Sequence, residues 1–515
     1  MSHAMTRRLI LAAGAAGAGI AGTRSSGASV LADVVPATAG LFTQLAAQDA
    51  PAGTTTLVTT GHGVPGLGSA RYRLDTTSAD PAAIVRRFPR TAVLIPGNRL
   101  FRLDPHGPLS VFAVGAIGDG IADDAPAIQE FLDSLGTVAS WGTNIPVTLD
   151  FHAGRFRLGA PLRITQNLVR LHADGATLDG KGQATGLIRV DHDASVNSPT
   201  SIGITGQWFL QGAAGDAITL RSAPLFVIGR IHATGITGDV VNVQGSVGGT
   251  TEMIEAYDCG GFAYREGAMN KRYAGDGGGH RINCINNRIE AVRAFRCAGA
   301  WMGSESWHAS VGRIDVESSK GSGVVVESCL APSFDSIYEE DHAIAITVRT
   351  APRVFGDDFP VGGALFDTLY TAGARLPDGS RPCSITIVHG PGTIIRAGRV
   401  CGDIRLAAGA GDVRIDRDVD LLGQLVDAGK GARVDYRARR IVTVVAGARS
   451  ADVAFDRAEP DDRYTAVVQA IGWTGTPEPG ALIAKGADLT RGGFRLQLLQ
   501  PVPPGCTVTF LAEAR

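Results

Sequence analysis

Five short segments carry imidazole, phenol, guanidinium and carboxylate groups at a recurring spacing. They are Ile231-His232-Ala233-Thr234, Ala256-Tyr257-Asp258-Cys259, Val292-Arg293-Ala294-Phe295, Ile314-Asp315-Val316-Glu317 and Ile337-Tyr338-Glu339-Glu340. Each opens on an apolar residue. Strand alternation turns that residue inward and sends the second and fourth outward. One exterior file then reads His232, Tyr257, Arg293, Asp315, Tyr338, and its neighbour reads Thr234, Cys259, Phe295, Glu317, Glu340. The same alternation sends Asp258 and Glu339 inward, where an unpaired charge is costly. Either each finds a partner there, or the register slips at those turns.

These groups suit two reactions on a glycan. In β-elimination at a uronate, a cation neutralises the carboxylate, a base takes the C5 proton and an acid protonates the leaving oxygen. Arg293 or Arg272 fits the first role, His232 or His280 the second, and Tyr257 or Tyr338 the third. An imidazole base suits near-neutral pH, since its unperturbed pKa is about 6.5. In hydrolysis two carboxylates flank the bond. Asp315 and Glu317 lie two apart on one strand, roughly 6.5–7 Å, and Glu317 and Glu340 on adjacent turns, about 4.8 Å. Both spacings fall near the windows for inverting or retaining chemistry. A lyase acting on an acidic polysaccharide is the first expectation, a hydrolase the second, and noncatalytic glycan binding or assembly the third. No cofactor or metal is assigned: acids for calcium are present, but no ordered acidic cluster marks a site.

The segment 267–283, GAMNKRYAGDGGGHRIN, interrupts the repeat and is expected to project beside the same face. It brings Lys271, Arg272, Tyr273 and His280 as substrate-binding candidates, on a loop borne by a rigid scaffold. Trp301 and Trp307 are candidates for stacking on sugar rings.

The elements that position these residues follow from the repeat. Apart from the insertion, units of about 21–23 residues each hold two short alternating strands and their turns. None can bury its own apolar face, but stacking them about 4.8 Å apart buries them all, which describes a parallel β-helix. One helix precedes the coils. Ile128, Phe131, Leu132 and Leu135 follow i, i+3, i+4, i+7 spacing, and Asp124 and Pro126 mark its start, so 124–135 is expected to cap the solenoid.

Phe112–Ile128, with Gly115-Ala116-Ile117-Gly118-Asp119-Gly120 and Asp123-Asp124, resembles the opening signature of the pectate-lyase-like, or polygalacturonase-related, superfamily. Val147–Gly180 continues the likeness, with Phe156 at the usual Tyr position. The resemblance implies a right-handed parallel β-helix. It is strong over 111–180, generic over 181–430, and carries little about the reaction, because that superfamily hosts lyases, hydrolases, epimerases and noncatalytic members.

The remaining chain fits an all-β protein. Of 515 residues 68 are Gly, and only 19% are charged with a formal net charge of −2, so nothing electrostatic argues for nucleic acid or an anionic membrane. Residues 1–32 read as a twin-arginine-like export signal built on Arg7-Arg8, too short in its apolar run for a stable membrane anchor, which implies a periplasmic or extracellular protein. Residues 33–108 read as a small N-terminal β module, 109–430 as the β-helix, and 431–515 as six strands of an antiparallel β-sandwich. The last is expected to cap the coils or support homo-oligomers. Seven Cys without a Cys-x-x-Cys pair read as buried single thiols, with one bridge conceivable in an exported chain.

Overall fold

The computed structural model describes residues 37–136, 146–190, 201–272, 279–350, 362–373, 383–428, 433–434, 439–454, 466–474, 484–490 and 493–514. Residues 1–32, which the sequence reads as an export signal, and Tyr273 lie outside these residues. Among the described residues no helix is long and apolar enough to cross a membrane.

The chain winds as a right-handed parallel β-helix. Each coil gives a short strand to an 11-stranded sheet and a longer strand to a 15-stranded sheet. Between them a single-residue rung runs through Val247, Ile285, Trp307, Leu330 and Gly362, all bridged in parallel. Six long strands build the central wall: β1 (Val227–Thr234), β2 (Thr250–Tyr257), β3 (Arg288–Phe295), β4 (Ser310–Glu317), β5 (Ser333–Glu340) and β6 (Leu365–Ala372). Their inward positions stack like on like. Ile231, Ile254, Val292, Ile314, Ile337 and Leu369 share one register and are all buried. Interior aromatics stack too: Phe334 meets Phe366 face to face at 5.1 Å and the edge of Trp301 at 5.1 Å.

Four of these strands end in the same way. Asp258, Arg296, Ser318 and Asp341 follow β2, β3, β4 and β5 directly, and all take left-handed backbone with φ between 53° and 58°. That turn breaks the alternation. Asp258 therefore leaves the strand and sits in solvent, bound to Arg296, instead of pointing into the core. Cys259 correspondingly is buried and belongs to no exterior file. Glu339 does point inward, and it has its partner: His342 Nε2 lies 2.6 Å from Glu339 Oε2 with both side chains inaccessible.

Two helices flank the start of the coils, α1 (Pro81–Arg87) and α2 (Ala125–Leu135). In α2, Ile128, Phe131 and Leu132 are buried as their spacing requires. Asp124 does not cap it. Its carboxylate instead accepts from the Ile117 and Gly118 N–H groups at 2.6 and 3.2 Å, fastening the preceding Gly-rich turn. Only strands were expected before residue 108, but α1 lies there, too short to show apolar periodicity. Its signal was Asp80-Pro81, where the Asp80 side chain accepts from Ala83 N–H at 2.9 Å. The surrounding module is a five-stranded sheet. At the other end, six strands form two three-stranded antiparallel sheets, and Val444, Val453, Phe494, Leu496, Val508 and Phe510 fill the core between them as in a sandwich.

Candidate active site

Strand pairing sets the files directly. The first runs His232, Glu255, Arg293, Asp315, Tyr338, Tyr370, and the second Thr234, Tyr257, Phe295, Glu317, Glu340, Ala372. His232, Arg293, Asp315, Glu317, Tyr338 and Glu340 stand in the expected files. Tyr257 does not: it stands beside Phe295 in the second, and Glu255 takes its place in the first. The reason is period 2. Ile254 and Ala256 both face inward, so a two-residue slip preserves the pattern while moving every side chain one file along. Constant repeat length was the missed signal, since Ile231 to Ile254 matches the interval from Ile314 to Ile337.

Glu255 links the first file into a chain of charges. One oxygen lies 2.6 Å from His232 Nδ1, and the other accepts from Arg293 Nη1 at 2.9 Å. Arg293 Nε reaches Asp315 Oδ2 at 3.1 Å, and Arg313 Nε reaches Asp315 Oδ1 at 2.9 Å. Partial desolvation acts against the Arg293 charge, but the hydrogen bonds it donates to Asp315 and Glu255 outweigh it and raise its pKa above the ordinary value. His232 also stacks on the exposed ring of Phe209 at 5.1 Å.

Four register steps separate His232 from Tyr338, about 19 Å along the axis, so the two cannot serve one bond. Tyr338 belongs to a different group. Its hydroxyl donates to Glu340 Oε2, and its ring lies parallel on Tyr370 at 5.6 Å. That hydrogen bond to Glu340, with some desolvation, pushes the phenol up to about 12. Glu340 is the register partner of Glu317 on the neighbouring coil. A groove of about 380 Å³ opens beside them, lined by the rings of Tyr257, Phe295 and Tyr338 and by Arg293, Arg313, Asp315 and Glu317. Its rings are available: Tyr257 is 44% and Tyr338 37% exposed. Arg296 covers Phe295, its guanidinium 4.1 Å from the ring centre.

The two tryptophans stand away from the groove. Trp301 is fully buried on a short strand and packs on Phe334, so no sugar reaches it. Trp307 is half-buried on the single-residue rung, a different wall from the groove. Lys271, Arg272 and His280 belong to a hairpin of Met269–Arg272 and Gly279–Ile282, in which Lys271 pairs with His280. The hairpin leaves its coil before β3 begins at Arg288, while Arg293 is five positions further along β3, roughly 16 Å. It therefore leaves the chain at the margin of the wall where β3 begins. Among the described residues no three His, Cys, Asp or Glu side chains converge in a way that could hold a metal ion.

No known protein family matches the sequence, and no curated protein matches it. Solved structures with a similar course exist. A tailspike of Acinetobacter phage vb_AbaP_AS12, gp42, superposes with a TM-score of 0.47 at 10% identity, over 78% of this chain and 74% of that one. The surface adhesin PfbA of Streptococcus pneumoniae gives 0.39 at 11% identity, over 64% and 93%. The A-module of the mannuronan C-5 epimerase AlgE6 of Azotobacter vinelandii gives 0.38 at 13% identity, over 63% and 98%. At such values none assigns chemistry to this chain.

Proposed function

We propose that the protein is an exported polysaccharide-degrading enzyme that cleaves glycosidic bonds in the groove between Tyr257 and Tyr338, with Glu317 and Glu340 as the reacting pair. One observation carries this reading: two carboxylates stand in register on neighbouring coils, one already accepting a phenolic hydrogen, beside a groove walled by exposed rings. The Tyr338 hydroxyl stabilises negative charge on Glu340, which suits a nucleophile or base. Glu317 lines the groove across the coil from Glu340 and takes the role of general acid. Aromatic faces with a polar rim fit sugar rings, whose C–H faces stack on them while hydroxyls meet Arg313 and Asp315.

Elimination at a uronate is the second reading, favoured by Arg293 and Arg313 both facing the groove one or two coils from a protonated Tyr338. It ranks lower because both guanidinium groups are already bonded to Asp315, and Arg293 also to Glu255. Incubation with neutral and uronate polysaccharides separates the two. New reducing ends without absorbance near 235 nm support hydrolysis, and absorbance from unsaturated ends overturns it in favour of elimination. Binding without either product leaves an adhesin-like role.

A further inference from the structure

All seven cysteines are free thiols and six of them are buried. Cys259 and Cys297 occupy one position on neighbouring coils. Tyr257 at the end of β2 is the register partner of Phe295 at the end of β3, and each cysteine follows two residues later. Their local geometry is the same. Each comes after a left-handed residue, Asp258 at φ 55° and Arg296 at φ 54°. Each thiol donates to the carbonyl two residues back at 3.4 Å. Cys297 Sγ also lies 3.5 Å from Ala256 O, on the coil that bears Cys259. Stacked coils hold equivalent Cα atoms about 4.8 Å apart. A disulfide needs roughly 4.4–6.8 Å.

The other cysteines lack this arrangement. Cys284 and Cys329 precede Ile285 and Leu330 on the single-residue rung, with Trp307 between those two, so two register steps or about 9.6 Å divide them. Cys506 lies in the C-terminal pair of sheets. Cys383 and Cys401 both approach the end of β6, through Ala372 O and Thr371 Oγ1, and are the competing couple.

We propose that Cys259 and Cys297 become a disulfide that ties the end of β2 to the end of β3. The loop it closes contains the 269–282 hairpin, and the residues it fixes, Tyr257 and Phe295, are two rings of the groove. The oxidant is a small-molecule or protein disulfide of an oxidising compartment. One cysteine thiolate attacks a sulfur of that disulfide and releases its first thiol. The second then displaces the other thiol, so one S–S bond forms here, one is reduced there, and two protons leave with the released thiols. Both sulfurs are inaccessible in the folded coil, so the exchange occurs while the coils wind.

The test is a thiol count on the full chain secreted into a bacterial periplasm behind a host leader. The protein is denatured, alkylated without reductant, digested and weighed. The expected result is five alkylated cysteines of the seven and one peptide joining Cys259 to Cys297. Seven alkylated cysteines, or a Cys383–Cys401 link in its place, overturns the proposal. Cys297→Ser should leave Cys259 alkylated, and an unchanged linked fraction in that variant also overturns it.

Discussion

Replacing Tyr338 by Phe removes one hydroxyl and keeps the ring on Tyr370, 5.6 Å away and nearly parallel. What is lost is the hydrogen bond to Glu340. Bonds to a charged group contribute about 1.5–3 kcal/mol. Tyr338 is 37% exposed, so screening by water places this one at the lower end, about 1.5 kcal/mol. If that stabilisation acts on the reacting form of Glu340, kcat falls roughly tenfold, at 1.36 kcal/mol per decade. KM should stay within about twofold because the stacking surface survives, whereas Tyr338→Ala should raise KM as well. Steady-state release of reducing ends measures both constants. A Tyr338→Phe enzyme with unchanged kcat, or with its whole loss in KM, refutes the link between Tyr338 and Glu340. The phenol also sets an alkaline limit. Its folded pKa is raised to about 12, so its contribution to stability is complete below about pH 10 and disappears as pH rises through 12.

Arg293→Ala should leave kcat within about threefold and raise KM several-fold, since its charge is held by Glu255 and Asp315; a hundredfold fall in kcat would move it into the chemistry, as elimination requires. Phe334→Ala, emptying the space between Trp301 and Phe366, should cost about 3–5 kcal/mol in denaturant unfolding, and a cost below 1 kcal/mol would contradict the stacked interior. Burial raises Glu339 to about 7, and its bond to Glu339 raises His342 against the opposing effect of burial. Both folded values lie above the unfolded ones, so the pair's stabilisation is complete below about pH 4.5 and fades as pH rises through 7. Melting temperature should fall over that window in the native chain and fall less in a Glu339→Gln, His342→Gln double variant; parallel curves would refute the assignment.

The winding of the chain was legible because its signal is repeated in every coil. Apolar residues at Val292, Ile314 and Ile337 recur at nearly constant intervals, and one helix stands in front of them. Which wall a residue occupies was also legible, since alternation separates Arg293 and Asp315 from Val292 and Ala294. Position along the strand was not. Alternation is blind to a two-residue shift, so Glu255, which joins His232 to Arg293, went unseen. Tyr257 was placed one file off. Turn geometry was equally hidden, because nothing in Asp258 itself announces a left-handed residue that ends the strand. Trp301 misled for a further reason: a large ring on a short strand serves sugar stacking and core packing alike, and only the neighbouring Phe334 decides between them.

The most direct measurement is the turnover of Glu317→Gln on whichever polysaccharide the native enzyme degrades, with thermal unfolding followed in parallel. The account predicts a loss of at least a thousandfold in kcat with the melting temperature unchanged within about 2 °C, as for removal of a general acid from an exposed wall. Turnover at the native rate in a folded Glu317→Gln protein would contradict it.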